Sequence, residues 1–355
     1  SCSQDDRNTQ NTTRTRSTEM KFSKSKLTVC WSCFYVACSA AVIFIAIVWA
    51  GLRVKQNDTN VLPNLTPKTF GLPLTNDTKV MVLLSGWPDT HKVWQKQIEE
   101  FQDTYHMVSI PNPDHDTPTL RREWGYTLNE VPTMIVTCVE KYLGTNRKID
   151  VLMTHDWGSL YGYYALEVWA GSGTRKVERL VAIDIGSSEY DTAELSANIP
   201  GVTSSTLFSV PYQIYLASLF AIGSGVSSSL AEYITTHSWP LMPLLTPMES
   251  SFDWNIEAVR PQEEVKWWYG YTYFYLWAGR LGLGPPVPQP LFPKAPCLFV
   301  FGKKKRTMFH SQAFVDRLNS TPGSLALESP ESSHWLMYTH SRQFNRDLLA
   351  FTKEV

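Results

Sequence analysis

Asp156 carries the most pointed chemistry in the chain. It lies in Lys148 to Ser159, KIDVLMTHDWGS. Ile149 to Met153 is a short apolar run without Gly or Pro and reads as a buried strand. A helical pattern follows through Leu160, Tyr161, Tyr164, Ala165 and Val168. Between them, Thr154-His155-Asp156-Trp157-Gly158 gives strand, sharp turn and helix, the layout of a nucleophile elbow. The usual spelling is G-x-S-x-G; Thr154 replaces the first Gly, Asp156 holds the nucleophile position and Gly158 keeps the last. Such a turn pushes its central side chain out at the carboxyl end of the sheet. The helix start beneath offers backbone N–H groups to a developing negative charge. A carboxylate nucleophile suits attack on a saturated carbon with a leaving group, giving an ester that water then cleaves. Ser would be expected there for an ester or amide substrate. The plain alternative is an Asp that caps the helix.

Two other stretches belong with it. Val80 to Pro88, VMVLLSGWP, is an apolar strand running into a Gly-x-Pro turn. His334 sits in SSHWLM, just after another predicted strand. Three strand-end signals in this order resemble the α/β-hydrolase fold. An Asp nucleophile followed by Trp resembles its epoxide hydrolase and haloalkane dehalogenase branch. The resemblance covers residues 76 to 355, with a cap inserted in the middle.

The resemblance implies roles. His334 activates the water of the second step; otherwise it is an ordinary surface or core histidine. Gly86-Trp87-Pro88 forms one side of an oxyanion hole, its Trp87 N–H joining that of Trp157. The family writes this turn His-Gly-x-Pro, and Ser85 replaces the His. The Trp157 indole N–H is also placed to hold a leaving halide or epoxide oxygen, or else the ring is a packing aromatic. Epoxide hydrolases of this type protonate the leaving oxygen with cap tyrosines. Tyr269, Tyr271, Tyr273 and Tyr275 are the candidates, with Tyr212 and Tyr215 behind them, and each also reads as aromatic core.

The fold commonly places the acid partner of the His in the loop after the strand Cys297 to Phe301. Here that loop is Gly302-Lys303-Lys304-Lys305-Arg306, without an acid. The branch has a second solution at the end of the strand after the elbow helix, where Asp184 stands; its alternative is a turn-capping Asp. Asp316 falls inside a predicted helix, and Glu328 and Glu331 flank a predicted turn at Pro330.

Elements to position these groups follow from the pattern. Val80 to Leu84, Met107 to Ile110, Leu180 to Ile183, Cys297 to Phe301 and Ser324 to Leu327 read as strands. Val93 to Phe101, Thr119 to Leu143, His310 to Leu318 and Ser341 to Phe351 read as helices. The alternation predicts an α/β fold with a mainly parallel sheet. Residues 76–190 and 291–355 form the two halves of the core. Residues 191–290 form a helical cap with a Pro-rich exit, Gly284-Pro285-Pro286-Val287-Pro288.

The chain has 355 residues and a net charge of −1, which argues against nucleic acid as a partner. Residues 1–26 are polar and expected to be disordered; Met20 opens MKFSKSK, which looks like a true N-terminus. Leu27 to Leu52 carries no charge, and at ~1.5 Å per residue it exceeds a hydrocarbon core of ~30 Å. It is expected to be a transmembrane signal-anchor. Residues 53–75 are then a stem. Sequons at Asn57, Asn64 and Asn76 point to a lumenal, glycosylated hydrolase domain, a single-pass protein of the endoplasmic reticulum or secretory pathway. Three of six Cys lie in the apolar segment; Cys138 and Cys297 read as buried free thiols. No cofactor or metal is expected, and the oligomeric state stays open. The expected activity is that of an epoxide hydrolase on a small apolar substrate. A haloalkane dehalogenase-like enzyme and a catalytically inactive binding protein are the alternatives.

Overall fold

The computed structural model describes residues 45–55, 62–115, 122–171, 176–186, 204–238, 264–288, 292–305 and 308–353. Ile47–Val355 is one compact unit; of Ser1–Ala46 only residues 45 and 46 are described, both helical and exposed.

Among the described residues, seven strands form one sheet: β1 (Lys68–Gly71), β2 (Lys79–Leu84), β3 (Tyr105–Ile110), β4 (Ile149–His155), β5 (Val177–Ile183), β6 (Cys297–Gly302) and β7 (Leu325–Ser329). Their order is β1-β3-β2-β4-β5-β6-β7. Only β1 runs antiparallel, to β3. β3 and β6 are buried at every position and β2 at all but its first. That is why they read as continuous apolar runs rather than alternating ones: helices cover both faces of a parallel sheet. Cys138 and Cys297 are buried free thiols in this core.

The order places the site. The chain goes from β2 outward to β3, then returns across β2 to β4, so direction reverses between β2 and β4. A crevice opens at such a switch point, outside the carboxyl ends of the strands. Register pairs Leu84 with Thr154, His155 with Ile183 and Ile183 with Val300. Ser85, Asp156, Asp184 and the loop after Gly302 therefore leave the sheet at one edge. The cap elements stand between β5 and β6: Ser204–Gly225, Ser228–Ser238, the 3-10 turn Trp267–Gly270 and Tyr271–Arg280.

One expected helix is shorter than its pattern. Over Thr119 to Leu143 the helix begins at Glu130. Gly125 has φ +55, incompatible with a right-handed turn. Thr127 N–H then donates to Glu130 Oε2 (2.7 Å) and Glu130 N–H to Thr127 Oγ1 (3.3 Å), the reciprocal bonds of a capping box.

Most of the expected anchor, residues 27–44, lies outside the described residues. Residues 45–55 are helical; Gly51 and Leu52 are buried against the hydrolase unit, where a side chain on Gly51 would strike Trp124. Lys55 Nζ donates to Glu130 Oε1 at 2.9 Å and the Gly125 carbonyl at 3.0 Å. No helix among the described residues is long and apolar enough to cross a membrane.

Candidate active site

β4 ends at His155, the elbow helix starts at Trp157, and Asp156 alone makes the turn. Its φ is +52, a left-handed conformation that costs a non-glycine residue of order 1 kcal/mol or more. Asp is among the residues that tolerate it best. Small neighbours make the turn possible. A side chain on Gly158 would collide with the Leu84 and Ser85 carbonyls, so the elbow helix can approach β2 only with glycine there. Thr154, in the first glycine position, fits because Gly162 leaves room for its methyl group. Its hydroxyl donates to Ser159 Oγ at 3.1 Å.

The loop after β2 closes over the carboxylate. Trp87 N–H donates to Asp156 Oδ2 at 2.8 Å, and the Trp157 N–H also bonds the carboxylate. A side chain on Gly86 would overlap the Asp156 carboxylate. The His expected before Gly86 is replaced by Ser85, and the turn is held instead by Asn112. Its Nδ2 donates to the Ser85 carbonyl at 2.9 Å and the Gly86 carbonyl at 3.3 Å. Burial pushes the Asp156 carboxyl up from its ordinary value, while His334, His155 and the two N–H groups work against that rise.

His334 and Asp184 meet beside it. His334 Nδ1 lies 2.5 Å from Asp184 Oδ2, and His334 Nε2 lies 3.7 Å from Asp156 Oδ1. With Nδ1–H donated to Asp184, the lone pair of Nε2 faces Asp156, as a base for a water between them requires. Asp184 also turns in the left-handed region, at φ +70, where β5 ends. Burial alone would raise its carboxyl; Lys305 and His334 beside it hold it well below the usual carboxylate range. Burial would likewise lower His334, but the charge and hydrogen bond of Asp184, with help from Asp156, raise it above its ordinary value. The Asp156 side chain keeps 12 % of its exposure, His334 2 % and Asp184 none. Of the two carboxylates, only Asp156 can be reached by a substrate. Asp316 is exposed and bonded to Gln312, while Glu328 and Glu331 pair at the surface with Lys303 and Lys304.

The cap separates the four tyrosines. Tyr269 donates to the His115 carbonyl at 3.1 Å, Tyr271 to that of Pro113 at 3.5 Å and Tyr275 to that of Trp124 at 2.7 Å. Tyr273 alone faces the carboxylate. Its ring centroid is 5.5 Å from those of Trp87 and Trp157 and 5.6 Å from that of Tyr212, all edge to face. Its hydroxyl hydrogen-bonds with Tyr212 and with the Trp157 side chain. Both phenols feel Asp156: burial first, then that negative charge, pushes Tyr212 up to about 12, while burial, then Tyr212, then Asp156 push Tyr273 well above its ordinary value. Tyr215 instead bonds Ser238 on the neighbouring cap helix. The Trp157 indole thus bonds Tyr273.

Three neighbours escaped the sequence reading. Lys305 Nζ bonds Asp184 Oδ1. His155, fully buried, has Nε2 3.0 Å from the His334 carbonyl and Nδ1 3.5 Å from Asp89 Oδ2. Asp89 also accepts the Trp335 indole N–H at 2.7 Å. Each sits at a strand end already marked, so position was the available signal. What the pattern lacks is which side chains turn inward.

No family model matches the sequence. Solved structures resemble the chain at low identity. An epoxide hydrolase from Bacillus megaterium, in complex with an inhibitor, is 17 % identical, with 82 % of this chain and 98 % of that one covered and a TM-score of 0.55. A putative epoxide hydrolase from Klebsiella pneumoniae is 15 % identical over 82 % and 94 %, with a TM-score of 0.56. MenH from S. aureus is 18 % identical over 81 % and 98 %, with a TM-score of 0.52. At such identities the likeness shows the fold, and the fold is that of the α/β-hydrolases.

Proposed function

We propose that this chain of α/β-hydrolase fold is an epoxide hydrolase that opens a small apolar epoxide through an ester on Asp156. The observation that carries the reading is the orientation of one carboxylate. Oδ2 accepts the Trp87 N–H, leaving Oδ1 toward His334. Oδ1 attacks an epoxide carbon and the C–O bond breaks. The departing oxygen takes a proton from the hydrogen-bonded pair Tyr273 and Tyr212. A phenol raised by burial is a weak acid toward water yet a stronger one than the alcohol that its proton forms from the departing alkoxide. Water then attacks Cγ of Asp156 while His334 accepts its proton, and Asp184 stabilises the imidazolium. The negative charge of the tetrahedral intermediate falls on Oδ2, where the Trp87 N–H already points, and the Trp157 N–H bonds the same carboxyl group. Collapse breaks the Cγ–O bond and His334 returns its proton to the departing diol oxygen; the carboxylic acid left on Asp156 then gives its proton back to the phenolate of the Tyr273–Tyr212 pair, which restores both groups. The phenol pair favours an epoxide over an alkyl halide, because a halide leaves unprotonated.

With His334→Ala the first step should survive and the second stall. Intact-mass measurement after adding an aryl or alkyl epoxide should show the intact substrate's mass added at Asp156. A folded protein that accumulates no adduct with any epoxide would sink the reading.

We propose further that the uncharged run starting at Leu27 anchors the protein in a membrane of the secretory pathway and ends where Gly51 and Leu52 pack on the hydrolase unit, with that unit in the lumen. The uncharged run supports this, as do sequons whose Asn64 and Asn76 are exposed. Removal of N-glycans from the native protein should lower its apparent mass, and Asn64→Gln with Asn76→Gln should abolish that drop. An unchanged mass in a glycosylating cell would place the unit on the cytosolic side.

A further inference from the structure

We propose that Lys305 is a positioning residue of this site: a buried cation that aims Asp184 at His334 and sets the pH below which His334 stops acting as a base. The inference rests on the Asp156-ester reading for its role in turnover, not for its effect on His334.

The basic run after β6 divides by direction. Lys303 pairs with Glu328 at 2.8 Å and Lys304 with Glu331 at 2.5 Å, all with exposed side chains. Lys305 turns inward; its side chain has no exposure, and Nζ contacts Asp184 Oδ1. Lysine is almost never fully buried unless paired. The Gly302 N–H reaches the same oxygen at 3.4 Å. Oδ1 is therefore occupied from the β6 side, and Oδ2 is left for His334 Nδ1. A carboxylate gripped at both oxygens cannot rotate away from the imidazole.

The loop carrying Lys305 is also stitched to the loop carrying His334. Lys304 N–H donates to the Ser332 carbonyl at 2.8 Å. Any side chain at Gly302 would strike the Ser333 carbonyl. Cation and base are thus held by adjoining backbone.

Several titratable groups face the imidazole. Asp184 and Asp156 favour its protonated form, and Lys305 opposes it. The His155 ring packs 4.5 Å from that of His334, with Asp89 behind it. His310, near Lys305, is lowered to about 4 by burial first and then by the lysine, so it is neutral at working pH. Of these groups only Lys305 carries a permanent positive charge. It opposes part of the rise that the ionised acid behind the base imposes on His334.

The experiment compares Lys305→Gln, which keeps a donor toward Asp184 but no charge, with Lys305→Met, which keeps neither. Two readouts are taken on the full chain. One is the pH dependence of ester breakdown in single turnover with a styrene oxide-type probe. The other is the NMR titration of the His334 imidazole without substrate. Loss of the cation should move the acid limb and the titration upward by about one pH unit in both variants, a tenfold slower breakdown on the acid side. If the adduct forms as in the native chain but neither limb nor titration moves, the inference about Lys305 is wrong and the ester reading stands. If the native chain forms no adduct, the ester reading fails, and the substrate-free titration still decides Lys305. Should neither variant fold, Lys305→Met combined with Asp184→Asn removes both charges. Recovered folding supports the pair, whereas continued misfolding makes Lys305 a packing residue and overturns the inference.

Discussion

Asp156 and Asp184 end neighbouring parallel strands, and both turn through the left-handed region. Residue type and backbone are the same, yet the environments oppose. Asp156 keeps 12 % of its side-chain exposure and is held by neutral N–H groups of the Trp87 and Trp157 backbone. Asp184 has no exposure and is held by a cation and an imidazole. Burial pushes both carboxyls up; only at Asp184 do charges reverse the shift. A carboxylate neutralised by a lysine is a poor nucleophile and a good fixed charge. One whose Oδ2 accepts a backbone N–H, with Oδ1 turned to the imidazole, keeps an oxygen for attack. In the proposed mechanism, what reaches a carboxylate, rather than its place in the chain, divides the work between them.

That division can be broken in graded steps. Asp156→Ala should abolish both the adduct and all turnover, read by intact mass and by diol formation. Asp184→Asn should leave adduct formation nearly unchanged but slow ester breakdown by ~10⁴-fold, as loss of a triad acid does. Equal slowing of both steps would show that the two carboxylates are not divided in this way. Next come the phenols. Tyr273→Phe and Tyr212→Phe should each cost ~10²-fold in epoxide turnover, with little effect on an alkyl halide probe. Equal losses on both probes would assign them to substrate packing instead.

The pH dependence is a finer test. His334 is raised in the folded protein and must be neutral to accept a proton, so ester breakdown should fall off on the acid side with a midpoint above the ordinary histidine value of ~6.5. Asp184 is lowered, so its contribution to stability is present above the unfolded value of ~3.9 and is lost as pH falls through the folded one. Acid unfolding of Asp184→Asn should accordingly be less steep below pH ~4. A midpoint below 6.5 in the native chain would mean that Asp184 does not hold His334 as its position suggests. The smallest effect belongs to Asp316→Asn, which should shift stability by no more than ~0.5 kcal/mol and leave turnover alone.

Much of this arrangement could be read from residues alone because parallel strands buried on both faces announce themselves. VMVLL and CLFVF are apolar without alternation, IDVLM is so apart from Asp150, and the chemistry lies at their ends. Other features are set by contacts between segments distant in sequence. The inward turn of Lys305 depends on Asp184, 121 positions away. The bond that replaces the missing His comes from Asn112, on a different strand end. The start of the helix at Glu130 is a different case, since the Thr127–Glu130 spacing is written in the sequence; a longer apolar pattern obscured it. The choice among tyrosines was also within reach. Alternate residues share a face on a strand but not on a helix. At ~3.6 residues per turn, Tyr271 and Tyr275 fall on one side and Tyr273 on the other.

The three tyrosines that miss the carboxylate bear on which substrates can enter. Tyr269, Tyr271 and Tyr275 reach the carbonyls of His115, Pro113 and Trp124, all in the stretch that follows β3. They act as rivets between lid and floor: Tyr271 and Tyr275 fasten the helix that carries Tyr273, and Tyr269 the 3-10 turn that leads into it. The headroom above Asp156 is then a property of joints lying outside the reaction space. Loosening one joint, as in Tyr275→Phe, should let the enzyme accept bulkier epoxides while its preferred small ones react more slowly. Selectivity by size would thus be tuned from residues that never touch what they select.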